Sequence, residues 1–214
     1  MIYDVGMLTR RVRLVLDMNE TDESLIAEGD EETLTLDEII RGRLEEGARI
    51  VERDAPAHLL DSGKPLSGSL TFDKEIGKGR GRMKLPDDYM RLVTFKMSDW
   101  ERAVTEPITE TDPRYGLQSS KHAGIRGNPE RPVVAVVHEP TGLVLEFWSC
   151  EGGQDVTLQR GRYLPIPKIR DRGIEICEKL LEAVILQTAA LTAMTLGDGE
   201  RAQLLEAQSR ALMN

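Results

Sequence analysis

The sequence predicts an α+β protein in which helices from both ends of the chain form a bundle and the middle forms a central antiparallel β region. Apolar residues recur every three to four positions over Val5–Leu16, over Thr35–Val51 and from Ile169 onward. Between residues 66 and 166 they instead alternate in short runs broken by Gly and Pro. Helical stripes at the two ends must cover one another or the sheet. One domain over 1–214 is therefore expected, with a discontinuous helical layer at 1–60 and 168–214 and a β region at 66–166.

The first helix follows from Val5, Leu8, Val12, Val15 and Leu16 at helical spacing behind Asp4, a residue type that caps helix N-termini. Asn19 to Thr33 has no sustained period and contains Gly29, so a solvated loop or weak turn is expected there. Thr35 followed by Glu38 is a capping box, and Leu36, Ile39, Ile40, Leu44, Gly47, Ile50 and Val51 make the apolar face of the helix it opens. Pro56 ends that helix.

Glycines and prolines from Gly63 to Gly81 cut the next stretch into hairpin strands. Leu85-Pro86-Asp87-Asp88 is a turn that launches a strand from Tyr89 to Trp100. Strict alternation there puts Arg91, Val93, Phe95 and Met97 on one face and Met90, Leu92, Thr94 and Lys96 on the other. A polar excursion with a short helix near Asp112 to Ser120 precedes three strand-like runs, Pro132–His138, Leu143–Trp148 and Val156–Tyr163, spaced as an antiparallel meander. From Ile169 the period becomes helical. Ile174, Cys177, Leu180, Leu181, Val184, Ile185, Thr188 and Leu191 predict one long helix, Gly197 and Gly199 interrupt it, and Glu200–Met213 gives another.

Charge narrows the function. The formal net charge is −9 with a pI near 5.0, which argues against a body built to neutralise nucleic-acid phosphates. The acidity is local. Asp17 to Glu38 contains ten acids and no Lys or Arg, and without them the rest of the chain sums to +1. Two cysteines, Cys150 and Cys177, are too few for a disulfide scaffold and wrongly spaced for zinc, which suits two small buried hydrophobes in a reducing compartment. No secretory leader is expected from the N-terminal pattern. The charge-free run Ala183–Gly197, 15 residues with Gln187 inside it, is too short and polar to span a bilayer, so no membrane partner is expected.

Candidate chemistry is sparse. Gly77-Lys78-Gly79-Arg80-Gly81-Arg82 has the composition of an anion site but neither phosphate-loop nor dinucleotide-fold spacing. Lys78, Arg80 and Arg82 read as the basic tip of a flexible hairpin that meets an acidic neighbour or solvent, with contact to an anion or DNA backbone as the other reading. His58, His122 and His138 are scattered without metal-ligand spacing. Asp87 and Asp88 form an acid and base pair on paper but fit a turn better, and Glu139 fits the polar end of a hairpin. No enzymatic activity, cofactor or metal is expected.

What remains concerns surfaces. Ala183 to Leu196 is apolar around most of its circumference, more than packing on one sheet requires, so a second partner is implied: the N-terminal helices or a neighbouring subunit. Leu181, Val184, Leu191, Leu204, Leu205 and Leu212 are the candidate interface.

The run Leu85-Pro86-Asp87-Asp88-Tyr89-Met90-Arg91-Leu92-Val93, followed by Lys96, Trp100 and Val104, resembles head-to-tail connector and ring proteins of Bacteroidetes phages, the crAss-like group included. Tyr115 and Gln118, Arg131-Pro132-Val133-Val134, Leu145-Glu146 and the helix around Ala189 and Ala190 fit the same pattern. More distantly the layout resembles tail tubular protein A, the adaptor of short-tailed phages. The resemblance implies a virion protein, made in the host bacterial cytoplasm and assembled as a ring of about twelve copies through head-to-tail contacts. Portal protein would lie on one side and tail or further ring proteins on the other, with DNA passing through unbound by sequence. In such a ring Glu28, Asp30, Glu31 and Glu32 would face the channel and repel the duplex, or dock a basic neighbour. The alternative function is a non-enzymatic protein–protein adaptor of a bacterial complex.

Overall fold

The computed structural model describes residues 1–17, 34–72, 80–120, 122, 124–150, 156–171 and 173–214. In chain order the first elements are β1 (Ile2–Tyr3), α1 (Val5–Val15), α2 (Leu36–Asp54), β2 (Lys64–Pro65), β3 (Leu70–Phe72), β4 (Gly81–Lys84), β5 (Tyr89–Met97), β6 (Ile108–Thr109) and α3 (Pro113–Leu117). Then come β7 (Val134–Glu139), β8 (Gly142–Phe147), β9 (Leu158–Pro165), β10 (Ile169–Arg170), β11 (Gly173–Glu175), α4 (Leu181–Thr195) and α5 (Gly199–Ala211). The fold is α+β. Where the sequence reading draws one domain, backbone contacts divide the chain into two compact units. One joins Met1–Asp61 to Ile166–Asn214, and the other is the continuous stretch Ser62–Pro165.

In the helical unit the caps set the helix starts. The Asp4 side chain accepts the Met7 amide at 2.8 Å. Thr35 and Glu38 exchange backbone-to-side-chain bonds of 3.3 and 2.8 Å, closing the capping box that opens α2. Helix α4 is the centre of the unit, packed against α1, α2 and α5. Its nine buried residues run round the helix, from Ala183, Val184 and Ile185 to Thr192 and Ala193. Small residues permit this enclosure. A β-carbon at Gly47 of α2 would lie 2.5 Å from Thr188 Oγ1, so glycine there lets α2 and α4 approach closely. Buried Thr188 and Thr192 satisfy their hydroxyls on the carbonyls four residues back, each at 2.8 Å. Ser209 of α5 donates to the Ala183 carbonyl, also at 2.8 Å.

The expected long helix from Ile169 is corrected at its start. Residues 169–175 form β10 and β11, which with β1 make a three-stranded antiparallel sheet in which Tyr3 pairs with Ile174 and Ile174 with Ile169. Ile174 falls in step with Cys177 and Leu180, three apart, and so imitates the start of the helix, but Gly173 has φ +116°, and a β-carbon on it would meet the Tyr3 carbonyl oxygen at 2.0 Å. The helix begins only at Leu181, after a 3-10 turn at Glu178–Leu180.

The β unit holds two sheets, ordered β2-β9-β5 and β3-β4-β8-β7-β6. Their shared core gathers Met83, Leu92, Phe95, Met97, Trp100, Leu145, Phe147 and Tyr163. Phe95 lies 5.4 Å from Phe147 and 5.6 Å from Trp100 between ring centroids, and the Trp100 indole N–H donates to the Ser149 carbonyl at 3.0 Å. Two expectations are corrected. The three runs are not a meander: β7 and β8 pair, but β9 joins the other sheet between β2 and β5. Alternation along β5 is also broken, because register shifts at Tyr89/Arg91, Leu92/Thr94 and Lys96/Met97 re-phase the strand and bury Leu92 together with Phe95 and Met97.

Candidate docking surfaces

The six candidate interface residues do not form one surface. Val184 is fully buried and Leu205 is 6% exposed, so both are core residues of the helical unit. Their assignment to an interface is corrected: α1, α2 and α5 supply the second burial partner of α4 within the chain. Leu181 and Leu191 are half-buried. Leu204 and Leu212 are 60% and 50% exposed. The inward stripe of α5 is Ala202, Leu205 and Ser209. Small residues mark it, which is why leucine spacing alone misplaced the face. Leu204 and Leu212 are eight residues apart, a little over two turns, and so share one side of the helix. Leu14 at 63%, Met194 at 60% and Met7 at 37% are further exposed apolar side chains of this unit. Met7 and Leu14, seven apart on α1, carry the periodic signal that would have found them.

Glu28, Asp30, Glu31 and Glu32 lie outside the described residues, as does Lys78. Of the same acidic block, Asp37 pairs with Arg13 at 2.6 Å. Hydrogen bonds from Thr35 hold the Glu38 carboxyl below its ordinary range.

Arg80 and Arg82 are not a free basic tip. β3 and β4 do form the hairpin, but both guanidinium groups turn onto Glu146 of β8, which is fully buried, at 2.6 and 2.8 Å. Tyr115 donates to the other carboxylate oxygen at 2.9 Å, and Arg82 reaches Glu139 at 3.3 Å. Burial together with donation to Glu146 pushes the Tyr115 hydroxyl up to about 12. A carboxylate this deep stays in place because two cations and a phenol satisfy it. The signal for it was a single acid inside the apolar run Val144–Trp148, and it means little until the arginines are known to arrive from another strand.

Asp88 is a structural bridge. It accepts from Lys64 at 3.0 Å and from the Tyr163 hydroxyl at 2.8 Å. Burial alone would raise it, but these bonds outweigh that and hold it below its ordinary range. Both cysteines are free and buried, and desolvation pushes each thiol up to about 12, far from a reactive thiolate. Among the described residues no group of three or more His, Cys, Asp or Glu side chains is placed to hold a metal ion, and no helix is long and apolar enough to cross a membrane. No protein-family model and no curated protein matches the chain.

Proposed function

We propose that the chain is a structural subunit of a phage head-to-tail connector ring, placed between portal and tail in the virion and continuing the DNA channel. Its partners are copies of itself, a portal protein and downstream tail or ring proteins. The observation that carries this reading is the pair Leu204 and Leu212. They expose apolar surface on one side of α5 although the unit has already enclosed α4 on its own. Large exposed aliphatic side chains sharing a helix side are what a permanent subunit contact covers, typically on the order of 2,000 Å² or more per interface. The sequence resemblance over Leu85–Val104 supplies the particle to which such a subunit belongs.

Mass photometry of the purified chain, alone and mixed with a portal protein encoded beside it, tests the proposal. Ring-sized particles are expected for the native chain or its portal mixture, and their loss is expected in Leu204→Glu/Leu212→Glu with an unchanged near-UV spectrum. A double variant that assembles as the native chain does would refute the interface. Turnover of a small-molecule substrate at a defined cleft would refute the function.

A further inference from the structure

The outer face of the β2-β9-β5 sheet carries cations in register with one another. Lys96 of β5 pairs directly with Arg160 of β9, and Thr94 pairs with Arg162. Cross-strand partners project to the same side and residues two apart repeat it, so Lys96, Arg160 and Arg162 share one face, opposite the buried Phe95 and Tyr163. No carboxylate occupies any registered position on this face. Like charges directly opposite destabilise a sheet, and the usual remedy is a carboxylate partner. Arg162 is turned onto the Gly63 carbonyl at 3.1 Å, but among the described residues the side chains of Lys96 and Arg160 make no hydrogen bond or ion pair. Arg160 is exposed and Lys96 half-exposed.

Two unpaired cations side by side, Lys96 and Arg160, with Arg162 next along the strand, call for a polyanion. The anion need not be foreign, because this chain concentrates its acids in one segment. Asp37 and Glu38 are engaged in the helical unit, and seven further acids fall within 20–32. Glu28, Asp30 and Glu32 recur at every second position, the period at which Arg160 and Arg162 recur along β9. An extended acidic chain laid along the face therefore meets a cation about every 7 Å. A duplex fits less well: its grip needs many phosphate contacts, and a net charge of −9 repels it at long range.

We infer that the outer face of the β2-β9-β5 sheet, through Lys96, Arg160 and Arg162, docks the acidic segment 20–32 of a second copy of the chain. The choice of a second copy as the occupant rests on the ring-subunit reading, whereas the binding face does not. It gives the ring an electrostatic contact between neighbouring subunits, weakened by salt, in addition to the apolar one.

The test uses the full chain carrying E20Q/D22N/E23Q/E28Q/D30N/E31Q/E32Q, so that its own segment does not compete, and a fluorescent peptide of native residues 20–33 read by anisotropy. Binding is expected in about 50 mM salt, with marked loss toward about 300 mM. K96E/R160E in the same background is expected to bind at least about tenfold more weakly, and K96Q/R160Q, which only removes charge, to lie between. Unchanged peptide affinity in both variants overturns the assignment, as does a short duplex that binds this face more tightly than the peptide. Mass photometry separates the two readings. Peptide binding by a native chain that never forms rings, even with portal, sinks the ring and leaves the face, while rings that form equally well in K96E/R160E sink the face as a subunit contact and leave the ring.

Discussion

Arg80, the residue before β4, reaches across to Glu146 of β8 at 2.6 Å and there meets a carboxylate that has no exposure to solvent. The pair ties the entry of β4 to β8, and Arg82 of β4 and Tyr115 complete the ring of donors around the same acid. Removing the acid takes the buried carboxylate from Arg80, whose side chain is mostly enclosed, whereas removing the more exposed Arg82, which also reaches Glu139, leaves the acid still satisfied by Arg80 and Tyr115. Glu146→Ala is expected to lower unfolding stability by about 3 kcal/mol, and Arg82→Ala by about 1 kcal/mol. Urea denaturation followed by tryptophan fluorescence checks both, since Trp100 and Trp148 lie in the β unit. Equal losses from the two variants would show that the carboxylate is not the centre of the network.

The close approach of α2 and α4 depends on Gly47. Gly47→Val is expected to cost about 2 kcal/mol by driving α2 off Thr188. Thr188→Ala in the same chain should recover part of that, because it deletes the nearest atom, Oγ1 at 2.5 Å, but leaves the Thr188 backbone at 3.2 Å. A double-mutant cycle on thermal unfolding reads the coupling.

Glu52 gives the stability a pH slope. It is 3% exposed and accepts the Cys177 amide at 2.7 Å, and burial raises its carboxyl above the ordinary 4.5 despite that bond. The native state therefore holds a proton that the unfolded chain has released at the same pH. Stability falls as pH rises from about 4.5 through the raised value, and the deficit persists above it. Glu52→Gln keeps an acceptor for Cys177 and removes the charge, so it is expected to raise the melting temperature at about pH 8 and to flatten the pH profile between there and about pH 5. Calorimetry at the two pH values decides, and a variant profile as steep as the native one would assign the slope to other groups.

Both thiols should resist Ellman's reagent at about pH 8 in the folded chain and react together on unfolding, because each is buried and titrates only near about 12. Rapid labelling of one thiol in native buffer would place it in a locally opening segment.

Much of the architecture was legible in the sequence because capping and periodicity are local. Asp4, Thr35 with Glu38, and Asp112 each mark a helix start that the structure bears out. The failures are where partners from distant sequence decide. Residues 169–175 look helical until β1 is available to pair with Ile174, and β9 looks like the third strand of a meander until β5 claims it. Among the candidate residues, Leu204 and Leu212 are apolar and exposed, but nothing local tells them from Leu205, one position from Leu204, which the small-residue stripe Ala202–Ser209 carries inward. Arg80 and Arg82 looked solvated because the acid that holds them lies more than sixty positions on.

The path of the chain sets an order of events during synthesis. Ile2 pairs with Glu175, and α1 and α2 have no α4 to enclose until the last third of the polypeptide has left the ribosome. The stretch Ser62–Pro165 is contiguous and carries its own aromatic centre, so it can condense first, while the amphipathic helices ahead of it wait with their apolar sides uncovered. Translation arrest after Pro165 would release a folded β unit trailing two sticky helices, a species primed for aggregation or capture by chaperones.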